Sequence, residues 1–461
     1  MRYRILLVSI ALSWAGAAAA KVPQADADKL CGPVLTCVGA ERAANKDGSI
    51  PEWAGRKSGH WKPDSFTITY DKISKLTKDQ ERDLSAAFYA DKPKYTITKA
   101  NMAQYADKLT EGHKWLLNAY PAYKMPVYGT ERTGFFPDVV EQATKKNALT
   151  ATLNGTDDVK DATLGFPFPI PQNGAEIIWN HKMKYLAENA RRYNNQAIVN
   201  PNGSYTITKL IEDVKFKYAN IKEPTPSDKG VLLYYLSEVL APPKDEGQLL
   251  LVHELIGGEG RKAWLYNPGQ RRVRLAPNVG YDNPALGTDN QQTNDQINVF
   301  NGSLDRYTWK LVGKKEMLIP YNSVGINARF VKFKDILTAH HINQDLTRYE
   351  LHRVWVVEAT LKPGTSHVFK KRVFYVDEDS WSVAAVDLYD NRDQLWKFQE
   401  AHLFSVPWIG TVTGVPELIY DFQSGRYFAT TLTNEDKITN WTVTYEDKYF
   451  TSENLTKKAK R

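Results

Sequence analysis

Cysteine is almost missing from this chain. Its 461 residues contain two, Cys31 and Cys37, in the stretch "CGPVLTC". So few thiols exclude a disulfide-stapled mini-domain and a cysteine-rich zinc site, and the spacing is not the C-x-x-C of redox or metal motifs. An even pair closing a short Gly-Pro loop is expected to form a disulfide in an oxidising compartment. A loop this small removes little chain entropy, so the bridge pins the N-terminal segment only locally. Long apolar runs are equally scarce, and the mean hydropathy is −0.48. The run from Ile5 to about Ala17 falls short of the ~20 residues that span a bilayer. Arg2 and Arg4 precede it, and Ala18, Ala19 and Ala20 follow it. That is the pattern of a cleavable signal peptide over residues 1–20. No cysteine follows the cut, so the expectation is a soluble, exported protein that is not lipidated.

An excess of one charge is lacking too. Sixty Lys and Arg against 53 Asp and Glu leave +7, with both signs interspersed. Nucleic acid is therefore not an expected partner. Catalytic motifs are missing as well. His253-Glu254 has no second histidine at the H-E-x-x-H spacing, and no G-x-S-x-G or phosphate-binding glycine loop occurs. His340 and His341 are adjacent and so point in different directions. No enzyme activity, no metal and no cofactor is expected. Two acidic stretches carry candidate cation ligands. Asn45, Asp47 and Ser49 beside Gly48 resemble the start of a calcium loop, but Arg56 stands where the closing acid belongs, which favours an Asp-Gly turn. In loop 278–300, Asp282, Asp289 and Asp295 offer a cation or sugar site, against the favoured reading of a polar loop built on Asx turns.

Aromatic residues and strand patterns are what the chain has in quantity. Twelve Trp and 25 Tyr contribute to a 12% aromatic share. Residues 21–164 read as a helical and irregular extension, with helices expected over 77–92 and 98–121 behind N-capping threonines. From 165 to 461 short strands alternate with turn signals: "NPNG", "KPGT", "DEDS", "DNRD" and "QSG". Connections this short force antiparallel neighbours, a meander rather than a βαβ array. In "HRVWVVEATL" apolar groups fall on both faces, so the sheet is expected to be covered on both sides. The stretch "RKAWLYNPGQRRVRL" (261–275) reads as a hairpin around Asn267-Pro268-Gly269. Its arginines are divided between the two faces rather than gathered into a basic strip.

Several segments, among them "GFPFPIPQNGAEIIWNH", "RKAWLYNPGQRRVRLAPNVGYDNP" and "KKRVFYVDEDSW", resemble the family known as domain of unknown function 1329. The likeness runs in order from about residue 38 to beyond 430. It implies kinship with the outer-membrane lipoprotein-sorting proteins LolA and LolB. The fold it implies is α+β and mainly antiparallel β: an open, unclosed β-barrel with helices covering its concave face. This chain is about twice as long as those carriers and lacks LolB's lipidated cysteine. The resemblance also implies envelope transport beside RND-type exporters and an outer-membrane protein family. The expected function is a periplasmic carrier for a hydrophobic ligand such as a lipid, fatty acid or sterol. Its expected cavity wall is Trp264, Tyr266, Trp309, Trp355, Phe374 and Trp396, although any single Trp is favoured to be core. The alternatives are an adaptor between inner- and outer-membrane transport components and, behind it, an envelope hydrolase.

Overall fold

β-branched and aromatic residues at alternating positions make long strands from residue 189 onward, and tight turns decide which strands pair. The computed structural model describes residues 22–55, 60–257, 260–276 and 279–459. The expected signal peptide lies outside the described residues. Two short strands, β1 (Tyr95–Ile97) and β2 (Met125–Val127), come first, with a small hairpin of β3 (Thr152–Asn154) and β4 (Asp158–Lys160). The long strands follow in two runs. The first is β5 (Asn189–Val199), β6 (Tyr205–Phe216), β7 (Val231–Ala241), β8 (Leu249–Leu255), β9 (Arg261–Asn267) and β10 (Arg272–Leu275). The second is β11 (Tyr307–Pro320), β12 (Tyr349–Leu361), β13 (Lys371–Asp377), β14 (Val383–Tyr389), β15 (Leu395–Val406), β16 (Thr411–Asp421) and β17 (Tyr427–Leu432).

Each run is a meander of antiparallel neighbours, and β17 pairs with β5 to join them, Phe428 facing Ile198. The order is therefore β11 to β17, then β5 to β10. β1 and β2 extend the sheet beside the start of β12, where Val127 faces Tyr349. Among the described residues β10 and β11 each pair on one side only, so the sheet is an open barrel. The hairpin expected at 261–275 is present, with Arg272 facing Asn267.

Four helices matter for the site: α1 (Glu111–Ala119), α2 (Asp138–Thr150), α3 (Gly174–Met183) and α4 (Ser452–Lys458). α3 is buried on nearly every side: Ile177, Ile178, Trp179 and Met183 are covered, and so are the polar Glu176, Asn180 and His181. Asn173 caps it by accepting from the Glu176 N–H at 3.0 Å. Gly174 lets it lie directly on β11 and β12, since a Cβ there would stand 2.8 Å from Val357 Cγ1. α3 thus marks the inner, concave-side face of the sheet. α1 packs on the other face, with the Glu111 and Gly112 N–H groups donating to Asp387 at 3.1 and 2.8 Å. The helix expected over 98–121 is in fact broken. Residues 102–108 form a 3₁₀ turn, and Thr110, accepting from the His113 N–H, starts α1 afresh. The expected helix over 77–92 is also two pieces, Lys78–Leu84 and Ala86–Ala90, behind a capping box at Thr77. α4 and Phe450 cover the outer side of β7 to β9, packing on Leu236, Leu249 and Leu251. The Cys31–Cys37 disulfide is formed.

Candidate functional site

Because side chains alternate across a strand, the inner-face residues of β5, β6 and β8 have even numbers and those of β7 and β9 odd numbers. The pairing places Arg192 opposite Glu212, Glu212 opposite Ser237, and Ser237 opposite Leu250. These rows enclose a cavity of about 200 Å³ with the C-terminal end of α3 and the loop that follows β10. Its apolar wall includes Leu210, Val214, Phe216, Leu250, Val252 and Ala263. A second cavity of about 120 Å³ adjoins it, walled by Trp61, Tyr89, Phe404, Val415 and Ile438. Arg192, Thr413, Thr439 and Trp441 line both.

The charged residues of the first cavity fall into two groups. Those of the first are tied to protein partners. Glu212 accepts from Arg192 Nε at 2.5 Å, Tyr235 Oη at 2.8 Å and Asn194 Nδ2 at 3.1 Å. Glu254 accepts from Arg261 Nε at 2.6 Å, and Arg261 also donates to the carbonyls of Val279 and Asn301. That arginine staples the post-β10 loop to the sheet. The second group is less engaged. The Lys184 ammonium is buried, and its neighbours are Ser382 Oγ at 3.2 Å and His181 Nδ1 at 3.5 Å. Burial pushes Lys184 down to about 8. His181 Nε2 stands 2.8 Å from the Asn298 carbonyl and so donates, which leaves Nδ1 as the acceptor for the Val383 N–H. The imidazole is thus neutral, and burial holds its pKa well below the usual range. Glu417 accepts from the Val299 N–H at 3.0 Å, and burial pushes it up to about 7.

None of the six aromatics expected in the wall lines either cavity. Trp264 and Tyr266 lie on the outer side of β9 in the cluster under Phe450, and Tyr266 Oη donates to the Ala459 carbonyl. Trp309 and Phe374 are brought together on the inner face at 5.6 Å between ring centroids. Phe300 of the post-β10 loop packs against both and fills that space, so the pair is core. Trp355 stacks on Trp381. Trp396 packs against Phe369 and donates to Asp421. The polar residues Lys184, Arg192, Glu212 and Glu417 escaped the sequence reading. A signal for one pair was present: the "NPNG" turn fixes the β5–β6 register, and that register sets Arg192 opposite Glu212.

The acidic loop residues do not converge. Asp295 is held by Arg372 at 2.5 Å and His367 at 3.0 Å, Asp289 pairs with Arg426, and Asp282 accepts from the Val368 N–H. Asp47 accepts from the Ser49 N–H and hydroxyl, an Asx turn. Among the described residues one group, His352, Asp377 and Asp379, has the proximity a metal site needs. Its members are already engaged: Asp379 binds Arg132 through both oxygens, Asp377 accepts from Ser380, and His352 faces Glu350. With a guanidinium bound to one carboxylate and the ring between two others, the cluster is a buried charge network.

A family model described as "Protein of unknown function (DUF1329)" matches residues 96–456. An uncharacterized protein of Pseudomonas aeruginosa is 44% identical over 428 residues, spanning 91% of this chain and 90% of that protein. Among solved structures, a DUF1329 family protein from Desulfovibrio piger aligns over 59% of this chain and 92% of its own, at 18% identity and a TM-score of 0.41. A putative outer membrane lipoprotein-sorting protein domain from Vibrio parahaemolyticus covers 61% and 98%, at 13% identity and 0.43. A LolA superfamily protein from Nitrosomonas europaea covers 62% and 100%, at 12% identity and 0.38.

Proposed function

Since the chain belongs to the DUF1329 family, whose description assigns no activity, we propose from the site itself that it is a carrier. It shields the apolar part of a small ligand, non-covalently, on the inner face of its open barrel. The observation that supports this reading is the cavity itself: an apolar wall on β6, β8 and β9 above a floor of buried polar groups. Ligand pockets have this composition, a largely hydrophobic lining with a few polar groups that set orientation. At about 200 Å³ the cavity is smaller than the usual range of ~300–1,000 Å³. Together with its neighbour across Arg192 and Trp441 it approaches the lower end of that range. Each methylene buried contributes ~0.8 kcal/mol, so six contribute ~5 kcal/mol without any covalent step.

The disulfide supports export to an oxidising compartment, and the proposed location is the periplasm. Delivery to an RND-type exporter or an outer-membrane protein belongs to the same proposal. The adaptor reading, in which a partner strand adds to the sheet, finds less support. Of the two free edges, β11 carries Lys310, Lys314 and Lys315 and is bulged between Leu311 and Gly313, devices that blunt strand addition. A hydrolase finds less support as well, because Glu212 and Glu254 are already paired with arginines.

Saturable binding of the apolar probe N-phenyl-1-naphthylamine to delipidated protein tests the reading. Wild type is expected to enhance its fluorescence, and Leu250→Trp, which fills the cavity from β8, to lose most of the enhancement. No saturable binding by wild type, or equal binding by a folded Leu250→Trp, overturns it.

A further inference from the structure

We propose that the cavity selects an anionic amphiphile, with a carboxylate or phosphate head placed between Lys184 and Arg192 and an apolar chain along the wall of β6 and β8. This rests on the carrier reading and adds the chemistry of the head. Two cations point to it. Lys184 is 5% exposed and lines the cavity, yet its ammonium has a hydroxyl and a neutral imidazole nitrogen as partners and no carboxylate within salt-bridge distance among the described residues. Glu417 acts on the ammonium from beyond that distance, and an anion in direct contact offsets more of the cost of burying it.

Arg192 supplies the second. Its Nε is fixed on Glu212, and no hydrogen bond is made by its two terminal nitrogens among the described residues. Its side chain is 28% accessible and lines both cavities, so the accessible part faces the internal space. Glu212 accepts from three donors and takes only the Nε of Arg192, which leaves the outer edge of the guanidinium to a ligand. A planar fork of this kind matches the two oxygens of a carboxylate or phosphate. Glu417 lies in the same cavity, and burial keeps it largely in its neutral form below neutral pH. In that form it opposes an anion little and offers a proton to one of its oxygens. Lys182, also in the lining, donates to the Gly302 carbonyl and adds positive charge. The Arg261–Glu254 pair contributes no net charge.

The experiment compares cis-parinaric acid, its methyl ester and a fluorescent lysophosphatidic acid on the delipidated full chain at pH 6.5. Wild type is expected to bind the acid at least tenfold more tightly than the ester, ~1.4 kcal/mol. In Lys184→Met, which keeps the apolar stem, the acid-to-ester ratio is expected to fall towards one, and Lys184→Arg is expected to restore it. Once the acid is preferred over its ester, lysophosphatidic acid binding more tightly than the carboxylate identifies a phosphate head, and the reverse a carboxylate. Equal binding of acid and ester by wild type overturns the inference and leaves the carrier reading standing. Binding of none of the three overturns both. Should Lys184→Met fail to fold, the acid-to-ester ratio of wild type still decides.

Discussion

Glu417→Gln is expected to stabilise the ligand-free protein, and to do so only above the ordinary carboxylate range. The carboxyl is 4% exposed and raised by burial from 4.5 to about 7. An acid whose pKa is higher in the folded chain holds its proton more tightly there than in the unfolded chain. Below 4.5 both states are protonated and the group is neutral to stability. As the pH rises from 4.5 towards 7 the unfolded state ionises first and is favoured, and above 7 the cost is complete. The shift corresponds to ~3 kcal/mol. A glutamine never incurs it, and its amide oxygen still accepts from the Val299 N–H. Urea unfolding of wild type and variant, each delipidated, is therefore expected to give similar stabilities at pH 4.5. At pH 8.5 Glu417→Gln should be more stable by up to ~3 kcal/mol. A difference that stays constant between the two pH values, or a variant less stable at pH 8.5, refutes a desolvated Glu417.

Two other substitutions probe the packing on the two faces of the sheet. Gly112→Ala places a Cβ 2.1 Å from Cδ2 of the buried Phe398 ring, which must shift α1 or the ring, and a loss of ~1–3 kcal/mol is expected from thermal melts. Unchanged stability contradicts close packing of α1 on β15. Arg261→Ala leaves Glu254, 5% exposed at its side chain, without its ion partner and removes the donors to Val279 and Asn301. It should cost ~3–5 kcal/mol, and hydrogen exchange should rise in residues 279–303 before the rest of the sheet. Uniform exchange contradicts the staple.

Most strands of each meander were legible because period-2 alternation and tight turns are local signals. β7 and β11, which no tight turn signal joins to the preceding strand, were not legible as strands. The β17–β5 pairing that joins the meanders was not legible either, since nothing near Phe428 names Ile198 as its partner. Reading aromatics as cavity wall went astray for a related reason. Trp309 and Phe374 do face inward, but Phe300, brought in by a loop that read as a polar rim, occupies the space they would line. Trp264 and Tyr266 alternate onto the face that the C-terminal residues 445–459 cover, and no local pattern announces that cover. The cavity's charges were hidden by their spread along the chain. Lys184 follows α3, Arg192 and Glu212 meet across a hairpin, and Glu417 arrives from β16, more than two hundred residues on.

Mass spectrometry of small molecules extracted from the protein, purified from the envelope fraction of cells that express it, tests the carrier reading most directly. The prediction is an amphiphile with an apolar chain, in an amount comparable to the protein and lost in Leu250→Trp. Wild type that yields no more amphiphile than Leu250→Trp contradicts it.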